Sequence, residues 1–178
     1  MTLPKLLIIG HGRHGKDTVC DILRDHAGFK FKSSSEFCAE RFIYAELKHK
    51  YGYTSYDQCY QDRHNHRTEW FDMIRDYCKD DHARLGREIF KENNIYCGLR
   101  NRVEFHAMRN TGVFDYAIWV DRSNHLPLEP CSSMNLEIWM ADYVIDNNST
   151  LDHLICNTTQ LSNRLKHCWQ SASANITA

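Results

Sequence analysis

The residues with the clearest chemical potential lie in the run LLIIGHGRHGKDTVCDIL, near the start of the chain. There Gly10 is followed by four residues, then by Gly15 and Lys16. Glycines let successive backbone N–H groups turn towards one point, and the start of a helix adds its positive end at the same place. A lysine directly after them reaches the outer phosphates of a nucleotide. The pattern predicts a phosphate cradle, and a plain strand-to-helix turn is the alternative.

This cradle gives each residue of the loop a binding role. We predict that ATP contacts His11, Gly12, Arg13, His14, Gly15, Lys16, Asp17 and Thr18. Lys16 is expected to face solvent when no nucleotide is bound and to hold the β- and γ-phosphates when one is. Asp17 stands where a Ser or Thr usually binds magnesium, and a carboxylate serves the same hard cation. The predicted cofactors are therefore ATP and Mg²⁺, with the metal at Asp17 and Thr18.

The elements that must position this loop follow from the alternation of short apolar runs with longer helical patterns. This alternation is typical of β-α units around a parallel sheet, so the fold class is α/β. Strands are predicted near Lys5–Ile9, Phe29–Lys32, Ile95–Gly98, Tyr116–Asp121 and Tyr143–Asp146. Helices are predicted over Lys16–His26, Ser35–Tyr51, Arg67–Lys79, Asp81–Asn93, Arg100–Asn110 and Thr150–Trp169. The polar stretch 52–66 is expected to form an exposed loop over a cleft.

The Gly-Lys-Asp-Thr sequence of the loop resembles that of the deoxynucleoside monophosphate kinases of tailed phages and, more distantly, of animal phosphomevalonate kinases. The phage kinases carry an Asp-x-Arg and a glutamate after the third strand. Here CGLRNRVEF supplies Arg100 and Glu104, but Gly98 stands where the aspartate would be. The closing stretch DYVIDNNSTLDHL is also similar to their last strand and the helix after it.

This resemblance implies the three-layer P-loop NTPase fold, with a five-stranded parallel sheet and helices on both faces. We expect a single kinase domain over 1–170, in which the resemblance implies an acceptor-binding helical insertion at roughly 33–93, and the ending SASANITA predicts a flexible tail at 171–178. It also implies that Arg122, in IWVDR, lies near the adenine, and that Asn147, in the closing stretch, belongs to the nucleotide site. The segment Ser123–Ser133 falls where related kinases have a lid, but it is short and contains no arginine.

Phosphoryl transfer needs positively charged side chains that bridge the donor and acceptor phosphates. Arg100 is our first candidate because it is predicted to begin a helix at the carboxyl edge of the sheet, and Arg41 and Arg102 are further candidates. The role of Glu36 depends on the acceptor. A phosphate acceptor needs no base, whereas a hydroxyl acceptor needs a carboxylate to take its proton, and Glu36 would then serve; otherwise it caps a helix.

The predicted function is therefore ATP-dependent phosphoryl transfer to a (deoxy)nucleoside monophosphate, which gives the diphosphate. One alternative is a phage DNA kinase that phosphorylates the hydroxyl of a hydroxymethylated pyrimidine in DNA. Another is a P-loop protein that binds nucleotide without transferring phosphate. A net charge of −1 argues against a strong global attraction to DNA. From Arg41 to Arg109 there are 13 Lys or Arg against 11 Asp or Glu, an excess too small to predict tight DNA binding.

Composition gives the remaining expectations. Hydrophobic content of 42% and 178 residues fit one globular domain. No apolar run reaches the roughly 18 residues of a membrane helix, so we expect a cytoplasmic protein (host cytoplasm if viral) with no membrane partner, either monomer or homodimer. The N-terminal run LPKLLIIG is too short for an export signal, so we expect the eight cysteines to be reduced thiols. They lack any Cys-x-x-Cys pair, which argues against structural zinc.

Overall fold

The structure, a computed structural model, describes residues 3–176, with side chains described as far as residue 171. A five-stranded sheet lies at its centre, and all its pairings are parallel. The strand order is β2-β3-β1-β4-β5. The strands are β1 (Leu6–Ile9), β2 (Phe31–Ser33), β3 (Ile95–Cys97), β4 (Tyr116–Asp121) and β5 (Tyr143–Asp146). The predicted parallel sheet is confirmed.

Helices cover both faces of this sheet, as the sequence predicts. They are α1 (Lys16–Ala27), α2 (Ser34–Cys38), α3 (Tyr44–Tyr51), α4 (Tyr56–Asp62), α5 (Arg67–Cys78), α6 (Arg84–Ile89), α7 (Arg102–Asn110) and α8 (Leu151–Ile176). A π-helical turn at Ala39–Ile43 joins α2 to α3, and a 3₁₀ turn at Ile138–Met140 precedes β5.

The two layers of helices follow from the alternation of side chains along the strands. In β1, Leu6 and Ile8 point to one face, where they join the core built from α1 and α8. Leu7 and Ile9 point to the other face, where the helices between β2 and β4 pack. All four residues are fully buried, which explains why β1 reads as a continuous apolar run.

Three sequence-based assignments between β2 and β3 differ from the structure. The expected loop at 52–66 contains α4, whose first turn is capped by the Ser55 hydroxyl, which accepts a hydrogen bond from the Gln58 amide. The expected helix at Asp81–Asn93 is helical only over α6, and the long helix at Ser35–Tyr51 is interrupted by the π-helical turn. These departures arise because short polar segments take their structure from local caps and packing rather than from hydrophobic periodicity.

The last helix, α8, continues to Ile176, beyond the expected end at Trp169. The tail predicted over 171–178 is therefore helical in its backbone as far as Ile176, and residues 177–178 lie outside the described part. No helix among the described residues is long and apolar enough to cross a membrane. All eight cysteines are free thiols, five of them buried.

Candidate active site

The loop between β1 and α1 turns sharply at the carboxyl edge of the sheet. Arg13 and Gly15 both have left-handed backbones, with φ of 64° and 94°. Gly10 has φ of 139°, and a Cβ atom there would lie 2.5 Å from the Val120 carbonyl oxygen of β4. A glycine is therefore required where the loop leaves the sheet. Gly15 caps the start of α1 and offers no side chain to the first-turn amides, which leaves them to serve a bound anion.

Lys16 lies inside this loop. Its side chain is buried, and its ammonium group donates a hydrogen bond to the His11 carbonyl oxygen at 2.7 Å. The expectation that Lys16 faces solvent is thus wrong, because the loop folds around it. Burial, opposed by the nearby Cys97 thiol, lowers the pKa of Lys16 below its usual value. A phosphate group beside the ammonium would offset this cost of desolvation.

The two histidines of the loop are buried, and their rings lie 5.4 Å apart. His11 also makes an edge contact with the Trp119 ring of β4. Nδ1 of His14 accepts a hydrogen bond from the Arg122 amide at 3.0 Å, and Nδ1 of His11 accepts one from the Glu129 amide at 3.1 Å. Burial is the main cause that lowers the pKa of both rings, so the neutral form that can accept these bonds is favoured.

Asn147 supports the loop from the end of β5. It is buried, and its amide nitrogen donates to the His14 carbonyl oxygen at 2.9 Å. A Cβ atom on Gly15 would lie 2.4 Å from the same nitrogen. The Asn147 side chain therefore contacts the backbone of the loop, and the glycine permits that close approach.

Asp17 and Thr18 lie in the first turn of α1, where the metal was predicted. Asp17 is exposed, and its carboxylate accepts a long contact from the Cys97 thiol at 3.6 Å. Gly98, where the phage kinases carry aspartate, has φ of 94°, so an aspartate in this backbone would be strained. Within 3–176, no group of three or more His, Cys, Asp or Glu side chains is arranged to bind a metal ion. Magnesium bound here would also need oxygens from the phosphates.

Glu129 brings a carboxylate into the loop. One oxygen accepts a hydrogen bond from the Gly12 amide at 2.5 Å, and the other accepts one from the Arg100 guanidinium at 2.6 Å. Burial works to raise the pKa of Glu129, but the Arg100 and Gly12 hydrogen bonds outweigh it and hold the pKa below its usual value. Arg100 lies two residues before α7, whose cap is Asn101, so the expectation that Arg100 begins the helix is wrong by two residues.

The other charged residues predicted for the site lie in or near α2 and at the start of α7. Glu36 forms an ion pair with Lys32 at 3.0 Å, and its amide donates to the Ser33 hydroxyl that caps α2. Arg41 is 64% exposed and faces Glu88 at 3.8 Å. Arg102 forms an ion pair with Glu137 and hydrogen bonds to Asn135. The structure thus brings Arg100 to the loop, while Glu36, Arg41 and Arg102 contact other partners.

Glu104 is the most perturbed carboxyl group on this side of the sheet. It lies in the first turn of α7, and burial raises its pKa to about 7. Its charge acts on three buried groups, Cys38, Cys78 and Tyr96. A carboxyl group with such a pKa is suited to exchange protons near neutral pH. The resemblance pointed to Glu104, but only the fold reveals its burial.

The loop fits the triphosphate of ATP on the evidence of its own contacts. The Glu129 carboxylate, a stand-in anion, is already held by a loop amide and by Arg100. A Cβ atom on Gly12 would lie 3.0 Å from a Glu129 oxygen, so the glycine keeps the backbone open to an anion. ATP bound here would be held by the amides of 12–18 and by Lys16. Mg²⁺ would neutralise phosphate charge beside Asp17 and Thr18.

Comparison with known proteins agrees on the fold. No family model matches the sequence, and no curated protein matches it either. Among solved structures, a shikimate kinase from Bacteroides thetaiotaomicron aligns with a TM-score of 0.51 at 10% identity, over 93% of this chain and 99% of that one. A gluconokinase from Sinorhizobium meliloti aligns with a TM-score of 0.50 at 13% identity, over 96% and 97%. The chain therefore has the predicted three-layer P-loop NTPase fold, and identities this low extend only to the fold.

Proposed function

We propose that this protein is an ATP- and Mg²⁺-dependent phosphotransferase whose acceptor is a (deoxy)nucleoside monophosphate. The main observation behind the proposal is that this site already binds an anionic group. The Gly12 amide and the Arg100 guanidinium donate hydrogen bonds to the two oxygens of the Glu129 carboxylate. Lys16 lies in the same loop, and its electrostatic field reaches that carboxylate. Amides, an ammonium group and a guanidinium that converge in this way suit the charge that moves during phosphoryl transfer.

The roles divide between the two sides of the loop. The amides of the first turn of α1 and Lys16 would hold the β- and γ-phosphates, with Asp17 and Thr18 at the magnesium. Arg100 approaches from the end of β3 and would bridge the donor and acceptor phosphates. The backbone amide of Arg122 and the side chain of Asn147 donate hydrogen bonds to His14. We place the adenine on this side of the loop.

A phosphate acceptor suits the charges near β2. Glu36, the sequence-based candidate for a base, forms an ion pair with Lys32 at 3.0 Å, so its carboxylate already contacts a cation of this chain. A monophosphate acceptor supplies its own oxygen nucleophile, so it requires no base. It does require positive charge, which Arg100 provides.

A hydroxyl acceptor is the second candidate, because Glu104 is half-buried with a pKa raised to about 7. Such a group could take the proton of a hydroxyl. A DNA kinase, in which the hydroxyl acceptor is part of DNA, is less well supported. Eight of the thirteen basic side chains in 41–109, all of them described, are paired with acids: Arg41, Lys50, Arg75, Arg84, Arg87, Arg100, Arg102 and Arg109.

The test is a panel of transfer assays with γ-labelled ATP. The acceptors are free nucleoside monophosphates, including hydroxymethyl forms, and DNA that contains hydroxymethylated pyrimidines. We expect label in a free diphosphate. Label in the polymer would support the DNA-kinase alternative, and ATP binding without label in any acceptor would support a non-catalytic nucleotide-binding protein.

Lys16→Ala tests the donor side of the same assay. We expect at least about a 100-fold loss of transfer, because the ammonium group stabilises charge that develops on the phosphates. Lys30→Ala is the matched control, since Lys30 is an exposed lysine before β2, and its activity should equal that of the unmodified protein. Circular dichroism checks that both variants are folded. Full transfer by a folded Lys16→Ala protein would refute the assignment of this loop.

A further inference from the structure

The segment Arg122–Pro130, which we call the strap, lies against the loop between β1 and α1. It is hydrogen bonded to this loop near both of its ends. At one end the Arg122 amide donates to His14, and at the other the Glu129 amide donates to His11. Both bonds end on ring nitrogens of residues inside the loop. The path of the strap is therefore set by the loop that it covers.

The Glu129 side chain of the strap contacts the loop. Glu129 has 23% of its side chain exposed, whereas its neighbour Leu128 is 62% exposed. Pro127 and Pro130 flank this pair, and they account for two of the three prolines in the chain. A residue that precedes proline is restricted to extended backbone, so the conformation of Glu129 is limited before it reaches the loop. The Pro130 carbonyl oxygen then accepts the Ser133 and Met134 amides, which closes the turn that follows.

The contacts of the Glu129 carboxylate are those that a phosphate group would make. It accepts from the Gly12 amide and from Arg100, and it lies within the electrostatic field of Lys16. A carboxylate and a phosphate cannot both occupy the Gly12 amide, because its single N–H donates fully to only one acceptor and because like charges at this distance repel. Arg100 donates to Glu129 through Nη1, and this ion pair offsets the positive charge that a phosphate group would otherwise meet.

We propose that the strap is an autoinhibitory device: the Glu129 carboxylate occupies the anion site of the loop, and a phosphate group must displace it before Arg100 can bridge donor and acceptor. This proposal rests on the proposed function, since it needs a phosphate ligand. A phosphate group carries more charge and more acceptor oxygens than a carboxylate, so it wins the competition once it is present at sufficient concentration. The apparent affinity for nucleotide is then the intrinsic affinity multiplied by the fraction of time that Glu129 leaves the site free.

The test compares ATP binding by calorimetry, with Mg²⁺ present, among four proteins: the unmodified chain, Glu129→Gln, Glu129→Ala and Glu92→Gln. If Glu129 fills the site nine-tenths of the time, its removal should tighten ATP binding by about tenfold. Glu129→Gln keeps the shape and removes the charge, and Glu129→Ala removes both. Glu92→Gln is the control, because Glu92 is exposed in the turn before β3 and carries the same charge change.

The outcomes separate the strap from the proposed function. Tighter binding in both Glu129 variants, with Glu92→Gln unchanged, supports the strap. Equal or weaker binding in the Glu129 variants, while the unmodified chain binds ATP, overturns the strap and leaves the phosphotransferase proposal standing. Failure of all four proteins to bind ATP overturns both.

Discussion

At the scale of single residues, the predicted Mg²⁺ site depends on the carboxylate of Asp17. We expect Asp17→Asn to raise the Mg²⁺ concentration needed for half-maximal transfer by about tenfold, because the neutral amide holds a hard cation less strongly than a carboxylate does. The measurement is a magnesium titration of transfer at saturating ATP. Asp21→Asn is the matched control: Asp21 lies one turn further along α1, and its side chain is 48% exposed beside Arg24. A midpoint that does not move in Asp17→Asn would remove Asp17 from the metal site.

Glu104 gives a prediction about pH. Burial raises its pKa from 4.5 to about 7, so the folded protein holds this proton more tightly than the unfolded chain does. The stability that the protonated group contributes is present below the unfolded pKa and is lost as pH rises through about 7. Glu104→Gln cannot lose that proton. At pH 8 we therefore expect it to be more stable than the unmodified protein by up to about 3 kcal/mol, and by little at pH 4.

Urea unfolding of both proteins at the two pH values measures this difference. Glu92→Gln serves again as the exposed control and should show no pH-dependent gain. The same difference between Glu104→Gln and the unmodified protein at both pH values would show that Glu104 is not held in its neutral form by the fold.

Some residues of the candidate site could be predicted from the sequence and others could not. The glycines and Lys16 could be found from their spacing, because a phosphate loop is a local structure in which neighbours along the chain make the site. Glu129 could not, because its partner Gly12 is 117 positions away in the sequence. The burial of Lys16 escaped prediction for a related reason: it depends on how the loop closes around the side chain.

At the scale of elements, α1 offers a matched pair of glycines. Gly15 caps its start and Gly28 its end, and both have left-handed backbones, with φ of 94° and 74°. A Cβ atom on Gly28 would meet no heavy atom within 4 Å, whereas one on Gly15 would lie 2.4 Å from the Asn147 side chain. We expect Gly28→Ala to lower the free energy of unfolding by about 1 kcal/mol, from backbone strain alone. Gly15→Ala should lower it by about 2–4 kcal/mol, because Asn147 must also move.

Urea unfolding at neutral pH gives both values, and the difference between them isolates the contact between the start of α1 and the end of β5. Equal losses in the two variants would mean that Asn147 accommodates the added methyl group without cost. ATP binding provides a second measurement, since only Gly15 lies in the loop.

The elements themselves were predicted unevenly. Strands β1, β3 and β4 stand out because each is a short apolar run that is buried on both faces. The predicted helix Arg67–Lys79 agrees with α5 to within one residue, because Trp70 and Cys78 repeat at helical spacing and are both buried. Helix α4 was missed because its apolar positions are few, and it is stabilised by the Ser55 cap and by contacts with α3 that the sequence does not display.

At the scale of the whole molecule, the sheet separates two layers of helices. The layer of α1 and α8 packs against one face of the sheet, with Leu154 and Leu165 of α8 buried in that core. The opposite layer, from α2 to α7, carries Glu36, Arg41 and Glu104. If the proposed function holds, the donor nucleotide binds over the first layer and the acceptor over the second, with the loop between them.

The distribution of charge over the whole molecule gives the last prediction. The net charge is −1, and most basic side chains of 41–109 are neutralised by neighbouring acids, such as Arg109 by Asp142 at 2.9 Å and Lys50 by Glu69 at 2.7 Å. We therefore expect DNA to bind with a dissociation constant of about 10⁻⁴ M or weaker at physiological salt, and with a log–log salt slope below about 2, because few counterions are released. Fluorescence anisotropy of labelled single- and double-stranded DNA, with and without hydroxymethylated pyrimidines, measures both quantities over a range of salt concentrations. Micromolar binding with a slope of about 6 or more would indicate a continuous basic surface and would favour the DNA kinase over the nucleotide kinase.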